Sequence, residues 1–380
     1  MATTIENLTA AYEEERRNNR PPVSIDDVPL TYEAITTAWL TVVLCRRVPG
    51  ARVLSHRLDT PDDGNSNRRR IFLEYNEAGR RAGLPERVFC KASQGLANRI
   101  SLGPSGAIQA EVNFYNQVRP LLTIEAPVCY FANFNAALNS IIVMAELDPA
   151  TTFCTHTTNI TRERAESQMR VLAGLHGSFL SPSAAQRLSV FSTWKGFFSN
   201  LDYPDYVKAC ERGFEMAEAV IPSRLFARRH EIWPATRKSV ERQEQLPYTL
   251  THGDVHLRNW YIAPDDRMGL TDWQAATRGH WSRDVIYALA TSLTVEQRRE
   301  WGDELMHYYL QELQRTSGQA HAFDSLLLNC RQQLMSVLAF WTITMNPAPG
   351  MPDMQPRDST LEFIRRITTA IDDLDSLDSF

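Results

Sequence analysis

With 380 residues, 43% of them apolar and 22% charged, the chain is long enough for two lobes with sizeable cores and has the balance of an ordinary soluble globular protein. The formal net charge is −5, and the local basic run Arg68-Arg69-Arg70 is too short to build a nucleic-acid groove, so no nucleic-acid partner is expected.

Residues 1–30 read as a polar tail or short helix ending near Pro21-Pro22, without the apolar core of a secretory signal. Residues 31–145 read as mostly β. A helix is expected over 32–43, then strands over 51–58, 70–75 and 87–91. A turn-rich stretch, 61–67, separates the first two strands, and a loop over 79–86 separates the next two. A helix over 108–118 stops at Pro120, and strands follow over 128–131 and 140–144. The character changes near 146–149, and residues 146–380 read as a mostly helical second lobe. There Thr161 caps a helix running to 179, and 183–245 is helical in pattern. Short strands lie within 248–274, and further helices over 282–345 and 358–375. No apolar stretch approaches a membrane span, so no membrane partner is expected. The six cysteines, at 45, 90, 129, 154, 210 and 330, form no C-x-x-C pair. Their scatter fits reduced thiols and a cytoplasmic setting.

The most informative segment is Thr251-His252-Gly253-Asp254-Val255-His256-Leu257-Arg258-Asn259, with Thr271-Asp272-Trp273-Gln274 behind it. Phosphoryl transfer to a hydroxyl needs a carboxylate at the attacking oxygen, an amide on one Mg²⁺ and a second carboxylate on the metal. Asp254, Asn259 and Asp272 stand in that order. The spacing inside the loop is that of H-R-D-x-x-x-x-N, with Gly253 in place of Arg and Trp273-Gln274 in place of Phe-Gly. Asp254 is therefore the candidate base, and Asn259 and Asp272 the candidate metal ligands. His252 and His256 are expected to brace the loop. A competing reading takes His252, Asp254 and His256 as zinc ligands on one side of an extended segment, but it leaves Asn259 and Asp272 unexplained.

These motifs resemble the aminoglycoside phosphotransferase and choline kinase superfamily, whose loop commonly reads H-G-D-x-x-x-x-N. Glu111 followed by Phe114-Tyr115 and Arg119-Pro120-Leu121-Leu122 resembles its ecdysteroid kinase-like branch. The resemblance runs from about residue 50 to 290. It implies an α+β, two-lobed protein-kinase-like fold with a β-rich first lobe and a mostly helical second lobe. It also implies transfer of the γ-phosphate of ATP, with Mg²⁺, to a hydroxyl of a small molecule. In its terms Lys91 looks like the nucleotide lysine and Glu111 like the glutamate that holds it. Met144, Ala145, Glu146 and Leu147 look like the interlobe hinge at the adenine edge. Leu172-Ala173-Gly174-Leu175-His176 resembles the helix under the catalytic loop, and Asp284 the aspartate that begins the helix after the metal site.

Two departures stand out. The expected phosphate loop, Gly64-Asn65-Ser66-Asn67, carries one glycine and reads equally as a hairpin turn. Gln274 replaces a glycine, which points to a constitutively formed metal loop. No A-P-E segment follows Asp272, which separates the chain from protein kinases. A nucleotide-binding pseudokinase scaffold is the alternative from another class, although such chains usually lose one of Lys91, Glu111, Asp254, Asn259 and Asp272. Trp273, Trp281, Trp301, His307, Tyr308, Tyr309, Phe340 and Trp341 read as helical core before they read as an aromatic pocket. Residues 345–357 are expected to flank the acceptor.

Overall fold

The computed structural model describes residues 5–201, 205–347 and 354–380. The chain divides into two compact units, one of residues 1–121 and 127–147, the other of 122–126 and 148–380. It has the α+β composition that the sequence predicts, with the sheet in the first unit and most of the helices in the second.

The first unit is built on an antiparallel sheet. Its strands are β1 (Val53–Leu58), β2 (Asp62–Asp63), β3 (Asn67–Tyr75), β4 (Arg87–Ala92), β5 (Cys129–Phe134) and β6 (Ser140–Ala145), in the order β1-β3-β4-β6-β5 with β2 paired to β3. The period-2 alternation of a strand sorts β4 onto two faces. Val88, Cys90 and Ala92 are buried, while Arg87, Phe89 and Lys91 point the other way. The buried set joins Ile71, Leu73, Ile141 and Val143 in a core with Trp39, Leu40 and Val43. Those last three come from helix α2 (Thr37–Cys45), which follows α1 (Ile5–Arg17).

The predicted helix over 32–43 is split. Residues Tyr32–Ala34 form one 3-10 turn, and Thr36 then caps α2 by accepting from Trp39 N–H, a side-chain cap that starts a new helix rather than continuing one. The loop expected over 79–86 begins instead with helix α3 (Glu77–Arg81), capped by Asn76. A further helix, α4 (Leu96–Leu102), precedes α5 (Ala107–Asn113). After α5 the chain winds through a π turn, Phe114–Val118, and a 3-10 turn, Arg119–Leu121. Pro120 lacks the N–H that would extend an α-helix here.

The second unit is mostly helical. Its first helix, α6 (Arg162–Gly177), is capped by Thr161, whose side chain accepts from Arg164 N–H. Then come α7 (Pro182–Ala185), α8 (Trp194–Leu201), α9 (Tyr206–Met216), α10 (Ser223–Ala227) and α11 (Arg229–Gln243). After the His252–Asn259 segment come α12 (Ser282–Ser292), α13 (Val295–Ser317), α14 (Phe323–Met345) and α15 (Arg357–Asp373). Helix α14 packs against α9, α11, α12 and α15, and α13 lies along α6. Pairing of β7 (Thr152–Phe153), β9 (Trp260–Ile262) and β10 (Met268–Leu270) forms one small sheet. The other pairs β8 (Thr249–Thr251) with β11 (Thr277–Gly279). Of the expected acceptor-flanking segment, residues 348–353 lie outside the described residues. Among the described residues no helix is long and apolar enough to cross a membrane. Among the described residues the six cysteines form no disulfide, and five of them are buried.

Candidate active site

In the first unit Lys91 lies on the face of β4 opposite the core. Its cross-strand partners are Arg68 and Ile142, and those of neighbouring Phe89 are Arg70 and Met144. Glu111 projects from α5 and is 4% exposed. Lys91 Nζ stands 2.9 Å from both of its carboxylate oxygens. This two-oxygen pairing fixes the ammonium against a strand that could not hold it alone.

Gly64, Asn65, Ser66 and Asn67 form the tip of the β2–β3 hairpin, with Gly64 N–H donating to Ser66 O. Asn98 Nδ2 on α4 donates to the Gly64 and Asn65 carbonyls, at 2.9 and 3.0 Å. The Asn67 amide is engaged at both ends, donating to Asp63 and accepting from Gln94 N–H. Met144 and Ala145 end β6, and Ala145 N–H donates to Val128 O inside the sheet. Glu146 accepts from Arg70 Nε at 3.0 Å. Leu147 is the last residue of the first unit.

In the second unit His252–Asn259 joins β8 to β9. Gly253 has φ +82°, and a Cβ there would fall 2.3 Å from Ala275 O, so only glycine fits the turn. The loop is hung on Asp284, in the first turn of α12 and 0% exposed. Its carboxylate accepts from His252 N–H at 2.6 Å, from Gly253 N–H at 3.0 Å and from His176 Nε2 at 3.2 Å. Burial works to raise the Asp284 carboxyl, but His176, His252 and Arg283 outweigh it and hold it below the ordinary value. Sequence alone left capping and loop support open for Asp284; two of its hydrogen bonds go to the loop and the third to His176. His176, on α6, also contacts the Tyr309 hydroxyl at 2.8 Å. Buried Arg283 donates to the Gly253 carbonyl and lies over the Trp194 ring.

His252 has both ring nitrogens engaged. Nδ1 accepts from Asp254 N–H at 3.2 Å, and Nε2 lies 2.9 Å from the Thr271 carbonyl, which can only accept. That pattern is the neutral Nε2–H tautomer, and burial lowers the His252 pKa in the same sense. No lone pair remains for zinc. Nor, among the described residues, do three or more His, Cys, Asp or Glu side chains converge on a metal position.

The Asp254 side chain is 35% exposed. One oxygen, Oδ1, accepts from the Tyr287 hydroxyl at 2.9 Å. The other, Oδ2, has Asn259 Nδ2 at 3.3 Å and His256 Nε2 at 3.5 Å. Burial acts to raise the carboxyl, yet His256, the Tyr287 hydrogen bond and His252 prevail and hold it at about 2. His256 is 3% exposed, with its ring edge-on to Trp341 at 5.2 Å.

Asn259 Nδ2 donates to the Asp254 carbonyl at 2.7 Å, which turns its amide oxygen the other way. Thr271 ties the two candidate metal ligands together: its N–H and hydroxyl both donate to Asn259 O, at 2.9 and 3.0 Å. Asp272 follows with φ +64°, a left-handed conformation that Asp tolerates better than most residues. The adjoining Trp273 is 0% exposed and packs on His252 with ring centroids 4.6 Å apart. An amide oxygen and a carboxylate suit Mg²⁺, a hard cation that commonly takes one or two protein ligands and completes its shell with water and phosphate oxygens.

A model of the ecdysteroid kinase-like family matches residues 66–321, which hold both the Lys91–Glu111 pair and the Asp254 loop. The chain belongs to the ecdysteroid kinase-like family. Among solved structures, it is similar to a spectinomycin phosphotransferase in complex with ADP and spectinomycin, at 14% identity over 86% of this chain and 94% of that one, TM-score 0.44. It is similar to Plasmodium vivax ethanolamine kinase at 10% identity, over 85% and 83% of the two chains, TM-score 0.49. It is also similar to the choline kinase LicA of Streptococcus pneumoniae at 11% identity, over 86% and 94%, TM-score 0.45. No curated protein matches it.

Sequence reasoning missed Tyr287, Thr271 and Arg283. Tyr287 was within reach, because it lies three residues after Asp284 and so on the same face of one helix. Trp341 was read with the other aromatics as core, and it is 2% exposed.

Proposed function

We propose that this member of the ecdysteroid kinase-like family is an ATP- and Mg²⁺-dependent kinase that phosphorylates a hydroxyl group of a small molecule. The observation that carries the reading is Asp254: an ionised, partly exposed carboxylate in a mostly buried loop, with Asn259 and Asp272 tied together through Thr271. In the step, the acceptor oxygen bonds to the γ-phosphorus as the bond to the β,γ-bridging oxygen breaks. ADP leaves with that electron pair, and the hydroxyl proton passes to Asp254.

The remaining roles follow from the same reading. Lys91, fixed by Glu111, neutralises charge on the α- and β-phosphates. The hairpin tip Gly64–Asn67 covers the phosphates, and Met144, Ala145, Glu146 and Leu147 border the adenine ring. Asn259 and Asp272 would hold Mg²⁺, whose contribution is to neutralise charge on the phosphate oxygens. His252, His256 and Asp284 keep the loop in place. The mostly buried cysteines, which form no disulfide among the described residues, fit a reducing cytoplasm.

The test is transfer of label from γ-labelled ATP to a panel of choline, amino sugars, nucleosides and hydroxylated terpenoids or steroids. Mg²⁺-dependent labelling of at least one alcohol is expected. Neither ATP–Mg²⁺ binding nor turnover with any acceptor would overturn the reading.

A further inference from the structure

Behind Asp254 runs a chain of hydrogen bonds that phosphoryl transfer does not by itself require. The Tyr287 hydroxyl donates to Asp254 Oδ1 at 2.9 Å, and Trp341 Nε1–H donates to that same hydroxyl oxygen at 2.9 Å. An indole N–H only donates. Trp341 therefore occupies a lone pair of the phenol and leaves its hydrogen to Asp254. Tyr287 is 0% exposed and Trp341 2%. Trp341 is fixed in turn, with the Phe363 ring 4.6 Å away and the His256 ring 5.2 Å away. Burial raises Tyr287 well above its ordinary value, so it stays a donor.

The two carboxylate oxygens are thereby made unequal. Oδ1 receives a short, well-supported hydrogen bond. Oδ2 faces only the longer contacts from Asn259 Nδ2, 3.3 Å, and His256 Nε2, 3.5 Å.

We propose that Trp341 and Tyr287 form a positioning relay that anchors Asp254 Oδ1 and assigns the acceptor's proton to Oδ2. This rests on the reading of Asp254 as the base. A carboxylate free to rotate would exchange its two oxygens and lose the near-attack alignment on which rate depends. Neither ring touches the reacting atoms. The relay spans α12 and α14, so it makes the packing of α14 a determinant of how the base is aimed.

Two arms test it. In nucleotide-free, metal-free wild-type protein, the Trp341 indole N–H resonance is assigned with Trp341→Phe and followed by ¹⁵N–¹H spectroscopy. It should shift in Tyr287→Phe and also in Asp254→Asn, although Trp341 bonds to Tyr287 and not to Asp254. In the kinetic arm, Tyr287→Phe should lower kcat by about 10- to 100-fold, the range for one hydrogen bond to a charged group, with KM for ATP unchanged. Trp341→Phe should lower kcat less, and thermal melts check that both variants fold. An indole resonance insensitive to Asp254→Asn, or wild-type kcat in Tyr287→Phe, overturns the relay. Wild-type protein that transfers no phosphate overturns the kinase reading instead, and the resonance arm still decides the relay on its own.

Discussion

Lys91 and Asp254 are held in different ways. In the first unit, Lys91 has its fixed position from the carboxylate of Glu111, and the nearby hairpin tip is held by Asn98, which donates to two of the tip's backbone carbonyls. In the second, Asp254 sits in a loop suspended from the buried carboxylate of Asp284, shaped by a glycine that admits no side chain, and backed by Tyr287 and Trp341. A cation that offsets phosphate charge tolerates small displacements, because Coulomb attraction falls off slowly with distance. A base must meet one proton within hydrogen-bond reach. The second unit accordingly specifies its site with a network of buried polar groups, which is rigid when satisfied and costly when broken.

Breaking the second network should do the most damage. Asp284→Ala strands His252 N–H, Gly253 N–H and His176 in the interior. A loss of roughly 3–5 kcal/mol is expected, the range for removing one partner of a buried charged pair. Chemical denaturation reads it, and a variant as stable as wild type would show that the loop does not hang on Asp284.

Lys91→Ala should act differently. Its loss should weaken ATP binding by about 10- to 100-fold, as for one hydrogen bond to a charged group, while the fold persists. Calorimetric titration with ATP–Mg²⁺ reads this, and unchanged affinity would remove Lys91 from the nucleotide site.

The smallest effect is that of mild acid. The Asp254 carboxyl is lowered to about 2, so the carboxylate is ionised throughout the neutral range. Its contribution to stability is present above its unfolded value, about 3.9, and is lost only as pH falls through about 2. The kcat profile should therefore show no acid limb from Asp254 between pH 5 and 8. A limb there that disappears in Asp254→Asn with its residual rate would contradict this.

The same contrast governs what sequence could reveal. The alternation Val88, Cys90, Ala92 against Phe89, Lys91 sets Lys91 opposite the core, and the family resemblance marks Glu111. The spacing of Asp254, Asn259 and Asp272 is local, so it too could be read. Thr161 announced its helix by the cap that the structure contains. Helix α4, flanked by Gly95 and Gly103, was hidden by the glycines that mark its ends. The bond from Trp341 to Tyr287 joins residues 54 positions apart on different helices. No periodicity encodes such a contact, which follows only from how α12 and α14 pack. Asp284 was ambiguous for a related reason: an aspartate in a first helical turn serves its own helix or a neighbour equally well until that neighbour is placed.

The most direct test of the central claim is Asp254→Ala, with ATP–Mg²⁺ binding and label transfer measured on the same preparation once a wild-type acceptor is known. The account predicts nucleotide affinity close to wild type and a rate lowered by about 10²- to 10⁴-fold, the reach of general-base catalysis. Wild-type turnover in the Asp254→Ala protein would contradict it.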